Sequence, residues 1–163
     1  LRIESSLISG KGKNKFTGSL GEVMKESIET AISVVLARAE KLGFSPDVLE
    51  EKSVHIHFPE NAVPKDGPSA GAAIACALVS LFTGRPLPAD TAMTGEITLT
   101  GRILPVGGLP EKLIAARRYG IKRVFIPAGN KKDLKEIKPE VLEGLEIMPF
   151  EEFDPLINAL CKF

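Results

Sequence analysis

Ala70 to Phe82 is a thirteen-residue stretch, AGAAIACALVSLF, without a single charge. A membrane span needs about 20 apolar residues, so this stretch predicts a buried helix instead. It is apolar all round, which requires cover on every side, and its alanines and glycine let neighbouring backbone come close. The rest of the chain has to be wrapped around it. With 163 residues there is enough chain to do so, since a domain of this size buries roughly 70% of its unfolded surface. Hydrophobic residues at 44% and charged residues at 26% are ordinary for a globular protein and exclude disorder, collagen and low complexity. No internal repeat or linker divides residues 1–163, which are expected to form a single domain.

Around this helix the periodicities alternate. Residues 1–8 and 13–18 read as strands joined by a turn at Gly10-Lys11-Gly12. Ser19-Leu20-Gly21-Glu22 has the form of a capping box. A long amphipathic helix follows to Leu42, with apolar residues three and four apart and Gly43 as its stop. Val54, Ile56 and Phe58 alternate with His55 and His57, the pattern of a half-buried strand. Residues 59–68 form a proline-rich loop, and Ser69 to Thr83 the apolar helix, ended by Gly84. Beyond it come a strand pair over 92–106, a helix opened by Pro110 and closed by Gly120, and a strand at Arg123–Ile126. Short helices at 131–137 and 139–142, a strand at 146–148 and a helix at 151–160 complete the chain. Mixed strands and helices in this order give an α/β or α+β class.

Charge and cysteines narrow the function. Lys plus Arg and Asp plus Glu are both 21, so no global field favours nucleic acid or an anionic membrane. Lys11, Lys13 and Lys15 read as a solvated hairpin. Two cysteines, Cys76 and Cys161, are too few for a disulfide scaffold or a cysteine zinc site and suit a reducing compartment. Cys76 on the apolar helix reads as core. His55 and His57 share a strand face, but a zinc site needs three or four ligands and no further His or cysteine cluster exists, so no metal site is expected. The chain opens on Leu1, directly in a strand-like run and with no signal peptide, as a segment of a longer protein would.

Gly67-Pro68-Ser69-Ala70-Gly71 fits the G-x-S-x-G nucleophile elbow. The α/β-hydrolase version needs a strand before the serine and a histidine after it; here Pro64-Lys65-Asp66 precede it and both histidines lie upstream. At a helix start Ser69 has two readings. It is an ordinary N-cap, or a nucleophile beside amides that favour developing negative charge. A lysine could serve as its base if its pKa fell from about 10.4 toward neutrality. Lys112 has suitable surroundings: the first turn of a helix, where the dipole disfavours an ammonium, among Leu109, Leu113 and Ile114. An exposed first-turn lysine is the plainer alternative.

These residues resemble the Lon protease family. Pro64 to Gly71 (PKDGPSAG) is similar to its nucleophile motif. Ala92 to Leu99 and Leu104 to Leu109, followed by Glu111-Lys112, are similar to its second signature, and Phe16 to Val23 to an earlier block. The form PKDGPSAG resembles the soluble bacterial and mitochondrial branch. Pro110 stands where the family usually has lysine. The resemblance covers roughly Gly10 to Phe150. It implies that Ser69 is the nucleophile and Lys112 the general base of a serine–lysine dyad, with Thr94 orienting the lysine and Asp66 and His57 nearby. It implies a fold like the second domain of ribosomal protein S5. It further implies a ring of six subunits acting on unfolded or damaged proteins in the bacterial cytoplasm or mitochondrial matrix. No G-x-x-x-x-G-K-[ST] phosphate loop occurs. The chain is therefore expected to be the isolated proteolytic domain without cofactor, ATP and Mg belonging to the ATPase region of the longer protein. A small-molecule kinase, with the glycine-bearing loop cradling a phosphate, and a non-catalytic assembly module are the rival readings. The second would be expected to lack Ser69 or Lys112.

Overall fold

The computed structural model describes residues 1–60 and 62–161. The chain runs β1 (Glu4–Ser9), β2 (Lys15–Thr17), α1 (Glu22–Leu36), α2 (Ala39–Leu42), α3 (Val48–Glu51), β3 (Lys52–His57) and α4 (Gly71–Thr83). It continues through β4 (Thr91–Met93), β5 (Glu96–Ile97), β6 (Ile103–Leu104), α5 (Leu109–Arg118), β7 (Arg123–Pro127) and a 3-10 segment (Ala128–Glu136). It ends with α6 (Pro139–Leu142), β8 (Glu146–Phe150) and α7 (Phe153–Cys161). This mixture of helices and strands bears out the α/β class.

The apolar helix α4 is the centre of the molecule, and none of its residues is exposed. Ile74, Leu78 and Val79 pack in one cluster with Ile28 and Val35 of α1, Ile56 of β3, Phe125 of β7 and Leu156 of α7. Each side chain of that size contributes roughly 1.5–3 kcal/mol when fully buried. Gly71 shows why the helix begins with small residues. A Cβ there would stand 2.9 Å from the Ile97 side chain and 3.0 Å from Ser27 Oγ, so β5 and α1 could not both close on it. A second cluster gathers Leu109, Leu113, Val124 and Ile126. Successive residues of β7 thus serve opposite faces: Phe125 points into the main core, Val124 and Ile126 into the second. The parallel sheet β4-β7-β8 is covered on both sides, as parallel sheets are.

Several sequence expectations shift. β1 and β2 do not form a hairpin. β3 lies between them, antiparallel to β1 and parallel to β2, because its buried Val54 and Ile56 make it the central strand. The long helix begins at Glu22 and breaks after Leu36. There the Arg38 amide turns back to the Val35 carbonyl, its side chain takes the Val34 carbonyl at 2.9 Å, and its guanidinium pairs with Asp154 of α7 at 2.8 Å. The capping box is not formed either, since the N-cap of α1 is Gly21. The strand pair over 92–106 divides into β4, which joins β7, and a separate β5-β6 pair. The chain leaves the ladder at Thr94-Gly95, where Gly95 bonds the segment before α4 instead. The helix at 131–137 is a 3-10 segment starting at Ala128.

Candidate active site

The loop 62–68 leads into α4, and the structure anchors it to the turn before α1. The Lys65 amide donates to the Ser19 carbonyl at 2.9 Å, and the Gly21 amide donates to the Lys65 carbonyl at 2.8 Å. Asp66 Oδ1 accepts the Met24 amide at 2.9 Å. That amide is the third of α1, so Asp66 caps a helix 42 residues away in sequence. Gly21 makes room for it, because a Cβ at Gly21 would collide with the Asp66 carboxylate.

Ser69 stands just before α4. The N-cap of that helix is Ala70, and the Gly71 and Ala72 amides go to the carbonyls of Pro68 and Gly95 rather than to the Ser69 hydroxyl, so the N-cap reading of Ser69 does not hold. The Ser69 carbonyl accepts the Gly95 amide at 2.9 Å and the Thr94 hydroxyl at 3.4 Å, while the Gly95 carbonyl accepts the Ala72 amide at 3.0 Å. This crossing fixes the start of α4 against the segment between β4 and β5.

Thr94 is buried, 7% exposed, and also accepts a hydrogen bond from Lys112 Nζ at 3.2 Å. Lys112 rises from the first turn of α5, which opens after Gly108 and carries Pro110 at its start without distortion. Burial holds the Lys112 pKa below its ordinary 10.5. Ser69, Thr94 and Lys112, from three separate parts of the chain, are thus brought together. The link runs through Thr94, for among the described residues no hydrogen bond joins the Ser69 hydroxyl to the Lys112 amine.

His57 lies elsewhere in the hydrogen-bond pattern. Its Nδ1 and the Nε2 of His55 share the Thr17 hydroxyl at 2.7 and 2.8 Å, on the outer face of the sheet β1-β3-β2. Among the described residues no three His, Cys, Asp or Glu side chains gather to hold a metal, and no helix is long and apolar enough to cross a membrane. Cys76 is buried, and burial pushes its thiol far up, as befits a core residue. A depression of about 560 Å³ on the outside of α5, lined by Glu111, Ile114, Ala115, Arg118 and Tyr119, includes none of the residues above.

Lys65 escaped the sequence reading. A lysine between Pro64 and Asp66 in a loop reads as solvated, yet it is only 5% exposed. Its Nζ donates to the carbonyls of Gly18, Glu60 and Val63 at 3.0, 2.7 and 2.9 Å. Nothing in the local sequence signals this, because two of the three carbonyls come from its own loop and the third from the turn before α1.

Fold and site together define a mixed α/β domain built around a serine–threonine–lysine cluster at the start of its central helix. Residues 1–162 match the model of the Lon protease (S16) C-terminal proteolytic domain, and the chain belongs to that family. It is 57% identical to the Lon protease of Escherichia coli strain K12 over 158 residues, 97% of this chain and 20% of that protein. It is 63% identical to the Lon protease of Shigella dysenteriae over 136 residues, 83% of this chain and 17% of that one. With the Lon protease of Vibrio parahaemolyticus it shares 54% over 159 residues, 98% and 20% of the two chains. The chain spans about a fifth of the length of these relatives.

Proposed function

We propose that this domain is a serine endopeptidase in which Ser69 is the nucleophile and Lys112 its general base. The observation that carries the reading is the Thr94 hydroxyl, set between the lysine amine and the serine backbone. A hydroxyl has one proton to give. Thr94 gives it to the Ser69 carbonyl and so must accept from Lys112. A neutral amine held by one of its own N–H bonds keeps its lone pair for another proton, that of Ser69. Burial, which lowers the Lys112 pKa, favours this neutral form.

The reaction follows. Ser69 Oγ bonds to the scissile carbonyl carbon as its proton passes to Lys112. The amides of Ser69 and Ala70 at the start of α4 receive the oxyanion, since among the described residues no side chain caps that end. Collapse breaks the C–N bond, and Lys112 returns the proton to the leaving amine. Water, deprotonated by Lys112, then hydrolyses the acyl-enzyme. Asp66 and His57 act through structure: Asp66 holds the loop to α1, and His57 holds β2 through Thr17. For the whole protein we propose unfolded or damaged protein substrates, a homohexameric ring and a bacterial cytoplasmic setting, with ATP and Mg used by an ATPase region outside this chain. What supports this extension is membership of the Lon family and that its relatives are Lon proteases of bacteria.

The test is single-turnover acylation by an activated peptide ester, with the modified residue located by mass spectrometry. Label is expected on Ser69, with a rate that rises with pH through a midpoint below 10.5. Label on Ser69→Ala at the wild-type rate, or undiminished acylation in Lys112→Ala, would refute the dyad.

A further inference from the structure

Lys65 lies four residues before Ser69, is only 5% exposed, and gives its ammonium to three backbone carbonyls. Its backbone is as engaged as its side chain, pairing with Ser19 and Gly21 on the other side. Backbone strain concentrates at the same place. Among the described residues only Ser19 and Glu60 are non-glycine residues with positive φ, +59° and +74°. The Ser19 carbonyl accepts the Lys65 amide and the Glu60 carbonyl accepts the Lys65 ammonium. Left-handed backbone in residues other than glycine persists only where its surroundings over-determine it. Lys65 supplies part of those surroundings, through its ammonium at Glu60 and its peptide groups at Ser19 and Gly21.

We infer that Lys65 is a positioning residue for acyl transfer, an internal cationic clamp that sets the nucleophile loop in its reactive shape. The inference rests on the assignment of Ser69 as nucleophile. The cation draws the carbonyls of Gly18, Glu60 and Val63 to a single point. That closes the loop on itself and against the turn before α1. Asp66, next in line, completes the attachment by capping α1. Only Gly67 and Pro68 then separate the anchored segment from Ser69, whose carbonyl is held by Gly95. The nucleophile is thus fixed from both sides, by the clamp before it and the Gly95 crossing after it. A lysine suits the role because its ammonium carries three donors on a flexible stem and no acceptor to repel a carbonyl.

The test compares wild type, Lys65→Met and Lys65→Arg in single-turnover acylation by the peptide ester, with amplitude and rate constant recorded separately. A purely structural role lowers the amplitude, which counts folded sites, and leaves the rate constant of those sites unchanged. A positioning role lowers the rate constant itself. We expect a fall of roughly 10- to 100-fold in Lys65→Met, the cost of misplacing a reacting group by about 1 Å. Half-saturation by the ester should stay within about threefold, and Lys65→Arg should recover part of the rate because it keeps a cation and its donors. Should Lys65→Met fail to fold, the Lys65→Arg rate constant decides, since guanidinium geometry cannot reproduce three converging ammonium bonds and a several-fold fall is expected. Wild-type rate constants in the folded variants would overturn the inference. Ser69→Ala separates the two claims: label persisting there overturns the nucleophile assignment, whereas a silent Ser69→Ala beside a fast Lys65→Met overturns only the clamp.

Discussion

The two helices that meet at the middle of this domain begin in opposite ways. α1 has its third amide capped by Asp66, a carboxylate delivered from the nucleophile loop. Among the described residues α4 has no side-chain cap, although a serine stands immediately before its N-cap residue. Residue type alone would assign the roles the other way round, with Ser69 and Ser19 as caps and Asp66 in the chemistry. The difference is instructive. A capping hydroxyl is tied to backbone amides, whereas a nucleophile has to present its oxygen to a substrate, and the amides it leaves unbound are the donors an oxyanion needs. The Asp66 carboxylate is turned toward the other helix, where it holds the loop in place.

Substitutions can break this comparison. Ser69→Ala is expected to reduce acylation by about 10³-fold or more while changing stability by only about 0.5 kcal/mol or less, because no capping bond is lost. Loss of about 1 kcal/mol in a urea melt would restore the capping reading. Asp66→Ala should show the reverse balance, costing about 1 kcal/mol of stability, with Asp66→Asn retaining most of it through the remaining acceptor. Gly21→Ala places a methyl where the Asp66 carboxylate now sits and should cost a similar amount. Because both changes undo the same contact, the double variant should cost clearly less than their sum, a coupling of roughly 0.5 kcal/mol or more.

The smallest effect concerns the lysine facing the start of α4. The Lys112 pKa is lowered in the folded state, so between that value and 10.5 the unfolded chain binds more protons. In that window the stability of the wild type rises with pH. Lys112→Met should therefore melt slightly higher than wild type below that window, and the advantage should shrink as pH rises through it and be gone above 10.5. A difference that is constant with pH would mean that desolvation is not the cause.

Much of the fold was legible. The uncharged stretch at 70–82 identified the central helix because a helix with no exposed face excludes charge at every position. Gly43 and Gly84 marked helix ends because both adopt the left-handed backbone that glycine tolerates. Strand partnership was not legible, since β3 enters between β1 and β2 from 40 residues away and only packing of Val54 and Ile56 places it there. The break after Thr94 was hidden for the same reason: it exists to let Gly95 bond the segment before α4.

The site divides along the same line. The amino-acid sequence by itself determined the candidates, Ser69 and Lys112 from motif and helix position, and Thr94, Asp66 and His57 from the resemblance to the Lon family. Only the tertiary structure decided that Ser69 is not a cap, that Asp66 is one, and that Lys65 is buried among carbonyls. Whether a polar group is solvated, capping or aimed at a neighbour depends on which distant backbone atoms reach it, and those are set by the packing around α4.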